Sequence, residues 1–551
     1  MRTSLAGCFV KWGLAAPYAL CVVALAHAQS APTPLPSPVT SQSGIPDIAG
    51  ANQPATQPPT QPTAQQRKGW SITPSISANE TFTDNVTFAP AGLERSDWVT
   101  EIKPRIQVRG IGARIKLELD YELQKFFYAR NSNFDRTQNS LRSTATVEAI
   151  EKFFYVDARA SISQQSTAPL KFQNISGGNF TTDRAEIRLF SLSPYIKGGI
   201  GSIANYEVRH NVTQTSSGSG GNNSISDTRT KEWIARASNR TPLANFGWAL
   251  DYSNRNYTFG TSEREFEQTR ATLLYQIDPQ LKLFAYTGRE KNDFSAGTQS
   301  YSNHGYGFDW RPTPRTQVSG QQDDRFFGKG YNYRFNHRTP LSAWSLGYSR
   351  DISSSADQLQ VETPTDAYTA LFNSAFFLAQ YPDPALRDVA VRSFLALNGL
   401  AATTNQTLLS NRVVLSRRLN GSFALIGARN TLTFTASRSE SSSASGTGLV
   451  GGADIFSQST GIRQRTISAA WSHKISAVST LNLNASHTRS EGSAPTVQSS
   501  THRLLNLTLT HRLGPKTLGS LGLRKAIFDA QGGSLTSYDE KALTGSLSVT
   551  F

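Results

Sequence analysis

The sequence predicts an all-β fold, a transmembrane antiparallel up-and-down β-barrel of about 22 strands with a helical hairpin in one long outer loop. Three observations predict it: apolar and polar residues alternate, connections alternate between short and long, and the last strand ends in an aromatic residue. Composition agrees, because 10% of the residues are aromatic although only 38% are hydrophobic. After the N-terminal leader, no apolar run approaches the roughly 18 residues of a spanning helix.

The clearest alternation runs from Ala113 to Gln124, where odd positions are apolar or aromatic and even positions are polar or charged. A period of two places the two sets on opposite faces of a strand and excludes an amphipathic helix. The preceding segment, Ile102 to Arg109, shows the same pattern, and Gly110 and Gly112 supply the turn. One face of each strand is therefore expected against lipid and the other in the lumen.

The connections between these segments also follow a rule. Every second link is short, such as Ile150 to Phe153 and Leu513 to Lys516, and the others are mostly longer and polar, such as 211–228, 290–301 and 441–459. Short periplasmic turns and longer outer loops are typical of outer-membrane barrels. An even strand number then places both termini on the periplasmic side of a Gram-negative outer membrane.

The N-terminal segment predicts export. Residues 1–28 form a signal peptide: Arg2 and Lys11 flank an apolar run, and Ala26 and Ala28 precede cleavage before Gln29. Leu5 to Cys8 also reads as a lipobox, although only four residues precede it. Both cysteines, at positions 8 and 21, fall within this leader. Disulfides and thiol chemistry are therefore excluded from the mature chain.

The mature chain divides into a tether and a barrel. Residues 29–68 are rich in Pro, Thr and Gln and predict a disordered periplasmic tether, either a contact element or a plain spacer. Residues 69–551 form the barrel. Its final strand places apolar residues on one face, which we interpret as a signal for the barrel-assembly machinery: Leu543, Leu547, Val549 and Phe551.

One segment has a helical rather than a strand period. Residues 366–399 predict a helical hairpin, with Pro384 at the first position of its second helix. It could plug the lumen, cap the outer mouth, bind a partner, or only pack its own apolar faces together. The apolar stripes and the second helix start comprise Leu371, Phe372, Phe376, Pro384, Leu386 and Phe394.

The chain carries an excess of positive charge. The full sequence has a net charge of +15, and loss of Arg2 and Lys11 leaves 53 basic against 40 acidic residues, or +13. Such an excess favours anionic partners, namely acidic glycans and lipopolysaccharide, but not nucleic acid, since the chain is exported. We predict a basic group toward the periplasmic end of the lumen, with acids further out: Lys103, Arg105, Arg109, Arg114 and Lys116, then Glu118, Asp120 and Glu122. This group could select solutes, or form a salt-bridged wall.

No motif predicts catalysis. The mature chain has seven histidines, none of them in a recognisable ligand or nucleophile motif. We therefore expect no catalytic residue, no metal ligand and no cofactor.

Several short segments resemble one family, the outer-membrane barrel proteins associated with the PEP-CTERM/exosortase system. They are Trp70 to Ile76, Thr83 to Val86, Ser96 to Trp98, Ile102 to Pro104, Gly112 to Leu117, Tyr381 to Pro384, and Tyr538 to Phe551. The resemblance implies a bacterium that makes exopolysaccharide, and it implies no catalytic residues.

These observations lead to an expected function. We expect a non-enzymatic conduit or secretion component, with outer-membrane lipid, lipopolysaccharide, the barrel-assembly machinery, anionic exopolysaccharide and export-system proteins as partners. A structural docking protein without transport is an alternative. A barrel enzyme acting on lipid or glycan is a weaker alternative.

Overall fold

The computed structural model describes most of the chain from Gly69 to Phe551. Its described residues are 69–168, 170, 178–218, 227–239, 245–260, 262–295, 297–360, 410, 412–444, 456, 459–494, 497–532 and 535–551. The signal peptide with Ala26, Ala28 and Gln29, the tether 29–68 and the predicted hairpin 366–399 lie outside them. The hairpin candidates Leu371, Phe372, Phe376, Pro384, Leu386 and Phe394 lie outside them as well.

The described residues form 22 strands in one sheet, and each strand pairs antiparallel with the next along the chain. The strands are β1 Gly69–Thr83, β2 Asp97–Ile111, β3 Ile115–Tyr128, β4 Arg136–Ile150, β5 Phe154–Ser166, β6 Arg184–Ile200, β7 Ala204–Ser217, β8 Thr228–Asn239, β9 Phe246–Phe259, β10 Ser262–Asp278, β11 Leu281–Ser295, β12 Gly297–Thr313, β13 Thr316–Arg325, β14 Gly328–Arg338, β15 Ser342–Ser353, β16 Val414–Ile426, β17 Asn430–Ser443, β18 Gly461–Lys474, β19 Ser479–Gly492, β20 Gln498–Gly514, β21 Thr517–Gln531 and β22 Tyr538–Thr550. A short helix, α1 Ser355–Gln360, follows β15.

The first and last strands close the sheet. β1 pairs antiparallel with β22, from Ser75 opposite Thr550 to Thr83 opposite Ala542. The predicted fold class is therefore confirmed as a closed, 22-stranded antiparallel barrel. Because the strand number is even, β1 starts and β22 ends at the same end of the barrel, which we call the terminal end. The opposite end is the loop end.

The predicted short connections are confirmed at the terminal end, where every link has between two and six residues, but the links at the loop end are not uniformly longer, since two residues each join β9 to β10 and β13 to β14. At the loop end the prediction of a long loop over 290–301 is wrong, since β11 continues to Ser295 and β12 begins at Gly297. The backbone hydrogen bonds of a strand form regardless of side-chain polarity. Strands with two polar faces therefore continue beyond the apolar belt, where polarity alone suggested a loop.

The outward face carries the apolar residues, as the alternation predicts. In β1, Trp70 and Ile72 are 59% and 64% exposed, and the neighbouring residues Ser71 and Thr73 are polar. Other exposed members of this apolar belt include Ile106, Phe190, Leu192, Leu250, Leu273, Trp344, Phe434, Ile467, Leu505 and Leu523. Leu543, Leu547 and Phe551 are exposed too, and Val549, half-buried, shares their face. Within the described residues, no helix is long and apolar enough to cross a membrane.

Two inward rings pack onto glycines in the neighbouring strand. Phe284 and Tyr286 of β11 lie opposite Gly307 and Gly305 of β12. A Cβ atom at Gly307 would clash with the Phe284 ring, and one at Gly305 would lie 2.6 Å from the Tyr286 ring. Only glycine leaves room for rings that lie this flat against the wall.

Candidate lumenal site

The inward faces of β2 and β3 carry the charged residues that the sequence singled out, and we call this surface the paired wall. Arg105 lies opposite Glu122, and Arg109 lies opposite Glu118. The acids are therefore at the same height as the bases. The predicted separation, with a basic group near the terminal end and acids further out, is wrong because the hairpin register places the two sets side by side.

Most charges of the paired wall have a partner. Arg105 Nε donates to Asp120 Oδ1 at 2.7 Å, and Gln107 donates to the same carboxylate at 3.2 Å. Lys103 Nζ lies 3.3 Å from Glu101, and Arg109 lies 3.9 Å from Glu118. Gln124 Nε2 donates to Glu122 at 2.7 Å. This arrangement matches the salt-bridged alternative for the predicted residues.

Arg114 does not belong to the wall. The strand was expected to start at Ala113, but β3 starts at Ile115, because Gly112 N–H bonds to the Ile115 carbonyl at 2.8 Å and closes the turn. Arg114 is an exposed turn residue 3.9 Å from Glu151. Lys116, two residues further on, is inward and lies opposite Ile111.

A second charged group, not anticipated from the sequence, lies on the inward faces of β10 to β15 near the loop end. We call it the buried carboxylate cluster. Arg325 Nε contacts Glu290 Oε1 at 2.7 Å, and Arg325 Nη1 contacts Asp351 Oδ1 at 2.7 Å. Glu290 also accepts hydrogen bonds from Gln268 at 2.8 Å and Asn303 at 3.2 Å. The Glu290 side chain is fully buried. Sequence analysis did not predict this site, because the polar residues 290–301 were interpreted as a loop.

A third group, which we call the seam cluster, joins the first and last strands near the loop end. Glu540 of β22 accepts hydrogen bonds from Thr83 Oγ1 at 2.9 Å, Asn179 Nδ2 at 3.1 Å and Arg524 Nε at 3.0 Å. Asn179 comes from the connection between β5 and β6. The cluster therefore ties a loop-end connection to the closing strands.

The inward face of β17, β18 and β19 is different, because it is largely uncharged; we call it the hydroxyl sector. Every inward residue of β17 from 431 to 443, and of β19 from 480 to 490, is Ser, Thr or Asn. Thr466 and Thr488 hydroxyls lie 3.1 Å apart, and Gln464 donates to Ser490 at 3.3 Å. The hydroxyl sector could have been predicted from sequence, because the polar positions of these alternating segments hold hydroxyl residues instead of charged ones.

The lumen wall therefore combines ion-paired and hydroxyl surfaces. In the part of the chain that the structure describes, no group of three His, Cys, Asp or Glu residues could hold a metal ion. The carboxylates of the buried carboxylate and seam clusters bond to arginines, which suits them to stabilising the wall. A closed sheet with an apolar outer belt and a polar inner face defines the class: a membrane-spanning β-barrel of the outer-membrane type.

No protein-family model and no curated protein sequence matches the chain. The siderophore receptor PirA from Pseudomonas aeruginosa is 8% identical, with a TM-score of 0.43 and coverage of 87% of this chain and 80% of its own. The FrpB iron transporter from Neisseria meningitidis is 10% identical, with a TM-score of 0.45 and coverage of 87% and 82%. OpdK from Pseudomonas aeruginosa, crystallised with vanillate, is 10% identical, with a TM-score of 0.33 and coverage of 87% and 99%.

Proposed function

We propose that the chain is a non-enzymatic conduit that lets hydrophilic solutes cross the outer membrane. The observation that carries the proposal is a closed 22-stranded barrel whose inner face is largely polar, apart from inward apolar groups such as Phe266, Phe284 and Phe294. Inward side chains fill a barrel of about 8 strands, but a barrel of this size leaves a lumen that holds water or a plug. The short terminal-end connections favour an orientation with that end in the periplasm.

The solute that we propose is a glycan, in keeping with the resemblance to exosortase-associated barrels. The hydroxyl sector supports this, since Ser, Thr and Asn side chains hydrogen-bond to sugar hydroxyls without the strong retention that buried charges would cause. A conduit needs contacts that are favourable enough for entry and weak enough for exit. Apart from Asp97, which bonds to a loop-end connection, the paired wall holds four acids and four bases, so it adds little net attraction for anions: Lys103, Arg105, Arg109 and Lys116 against Glu101, Glu118, Asp120 and Glu122.

Liposome swelling tests the proposal. Proteoliposomes that contain the mature chain, with or without residues 366–399, are diluted into isotonic solutions of neutral saccharides of increasing size. We expect swelling whose rate falls as the saccharide becomes larger. The variant Thr435→Trp narrows the hydroxyl sector and should slow the larger saccharides. Its neighbour Phe434→Trp faces outward and is the matched control. Folded protein that causes no swelling in either form would overturn the proposal.

A further inference from the structure

Three arginines lie side by side on the outer surface of the barrel. Arg438 of β17 is directly opposite Arg465 of β18, which is directly opposite Arg489 of β19. All three side chains are exposed and share the outward face with the apolar residues Phe434, Ile467 and Ala485. We call them the arginine row. Like charges directly opposite each other on a sheet destabilise it, so an anion between them would offset a real repulsion.

The neighbouring acids neutralise the row only in part. Glu440 lies two residues beyond Arg438 on β17, toward the loop end. It contacts Arg438, and it contacts Arg463 of β18 at 3.0 Å. Glu491 contacts Arg489 at 2.8 Å and Arg463 at 3.6 Å. Two carboxylates thus serve several guanidinium groups, and Arg465, in the centre of the row, has no ion pair among the described residues.

The positive surface continues along the same side of the barrel. Arg503 of β20 faces outward and has one acidic contact, Asp529 at 3.6 Å. Lys525 of β21 and Lys541 of β22 are directly opposite each other and exposed. The basic surface therefore extends from β17 to β22.

The height of the row matches the border of the apolar belt. Arg489 follows the first residue of β19, Ser479, by 10 positions, and a tilted strand crosses the hydrocarbon core in about 9–11 residues. On the terminal-end side of the row, His487 is the one polar outward neighbour on β19 before the apolar residues, which include Ala436, Ile467, Ala485 and Leu505. The guanidinium groups thus lie where lipid headgroups begin.

The other side of the barrel is different at this height. The outward residues of β10 near the loop end are Glu263, Glu265 and Glu267, and all three follow one another on the same face. Lys291 of β11 pairs with Glu267 at 3.3 Å. Outward basic residues also lie on β8 and β11, but three arginines directly opposite one another on β17 to β19 exceed what solubility requires, which points to a ligand on that side.

We propose that the arginine row binds the phosphate groups of lipid A in the outer leaflet. Guanidinium groups bind phosphate oxygens through two parallel hydrogen bonds, and neighbouring arginines can hold one phosphate between them. The acyl chains would then lie along the apolar residues below the row. The proposal rests on the orientation given under the proposed function, with the loop end outside, but it does not require transport.

The test measures lipid binding to the full mature chain in nanodiscs of neutral phospholipid. The probes are bisphosphorylated lipid A, the same lipid with its phosphates removed, and inorganic phosphate. We expect binding of the bisphosphorylated lipid only, and a loss of at least about tenfold in affinity for the triple variant Arg438→Gln, Arg465→Gln and Arg489→Gln. The matched control, Arg289→Gln with Lys291→Gln on the outward face of β11, should bind as the unchanged chain does.

Three results would overturn the proposal: unchanged affinity in the triple variant, equal binding of the dephosphorylated lipid, or displacement of the lipid by millimolar inorganic phosphate. Heat-dependent gel mobility verifies that each variant is folded. Because swelling measures transport and nanodisc titration measures lipid binding, a failure of the conduit leaves this test unaffected.

Discussion

Thr83 on the first strand donates a hydrogen bond to Glu540 on the last, with 2.9 Å between Thr83 Oγ1 and Glu540 Oε1. Next to this bond, Asp84 Oδ1 accepts the backbone N–H of Lys541 at 2.8 Å. Asn85 donates to the carbonyl of Asp539 at 3.1 Å. The two segments Thr83 to Val86 and Tyr538 to Leu543, far apart in sequence, thus meet where the barrel closes.

The seam cluster predicts a stability effect. Glu540→Ala leaves the partly buried Arg524 guanidinium without its carboxylate, and breaking a fully buried pair costs about 3–5 kcal/mol. Thr83→Ala removes one hydrogen bond, which contributes about 0.5–1.5 kcal/mol. We expect the temperature at which the barrel loses its folded gel mobility to fall strongly for the first variant and slightly for the second. Asp539→Ala, whose side chain faces outward, is the control, and an equal fall there would contradict the seam assignment.

The buried carboxylate cluster makes a parallel prediction. Glu290→Gln removes the buried charge that contacts Arg325. It should destabilise the folded barrel considerably more than Glu267→Gln does. The ion pair of Glu267 with Lys291 is partly exposed, and such a pair contributes about 0–1 kcal/mol. Urea unfolding of both variants in lipid vesicles measures the difference. Equal midpoints would show that Glu290 and Arg325 do not stabilise the barrel.

Asp97 should hold the loop-end connection between β3 and β4. Its carboxylate accepts hydrogen bonds from the backbone of Arg130 at 2.9 Å and Asn131 at 3.1 Å, and from the Asn131 amide at 2.7 Å. We predict that Asp97→Ala frees this connection and lets trypsin cleave after Arg130 in the folded barrel. The unchanged chain and Glu94→Ala, an exposed neighbour, should resist; equal cleavage of all three would refute the role.

The paired wall predicts how ion selectivity responds to substitution. Arg105→Gln with Arg109→Gln leaves the acids in excess and should shift the reversal potential in a salt gradient toward cations. Asp120→Asn with Glu118→Gln should shift it toward anions by a similar amount, because the wall begins balanced. Glu265→Gln with Glu267→Gln changes only the outer surface and should leave the potential unchanged. Shifts in the same direction for both lumenal variants would contradict a balanced wall.

The barrel could be predicted from the sequence because the alternation of residues and the length of each connection depend on local interactions. In an alternating segment such as Ala113 to Gln124, the two faces of the strand can be predicted without knowing which strands lie beside it. The number of strands followed from counting such segments, even though 290–301 was taken for a loop. Strands with two polar faces cannot be predicted in this way, because their backbone hydrogen bonds produce no pattern of apolar and polar residues.

The lumenal site was only partly accessible from sequence. That Arg105 faces inward could be predicted, but its partner Asp120 depends on the register of the hairpin, which hydropathy does not fix. Contacts such as Thr83 with Glu540 depend on barrel closure, and the arginine row depends on the alignment of three strands. These contacts form between segments that are separate in the sequence, and the sequence alone does not show which residues become neighbours.

Single-channel recording is the most direct test of whether the barrel conducts solutes. The refolded mature chain is inserted in planar bilayers, with and without residues 366–399. We expect discrete conductance steps, either from the intact chain or, where the predicted hairpin plugs the lumen, only after its removal. Folded and inserted protein that gives no steps in either form would contradict the conduit and favour a docking protein.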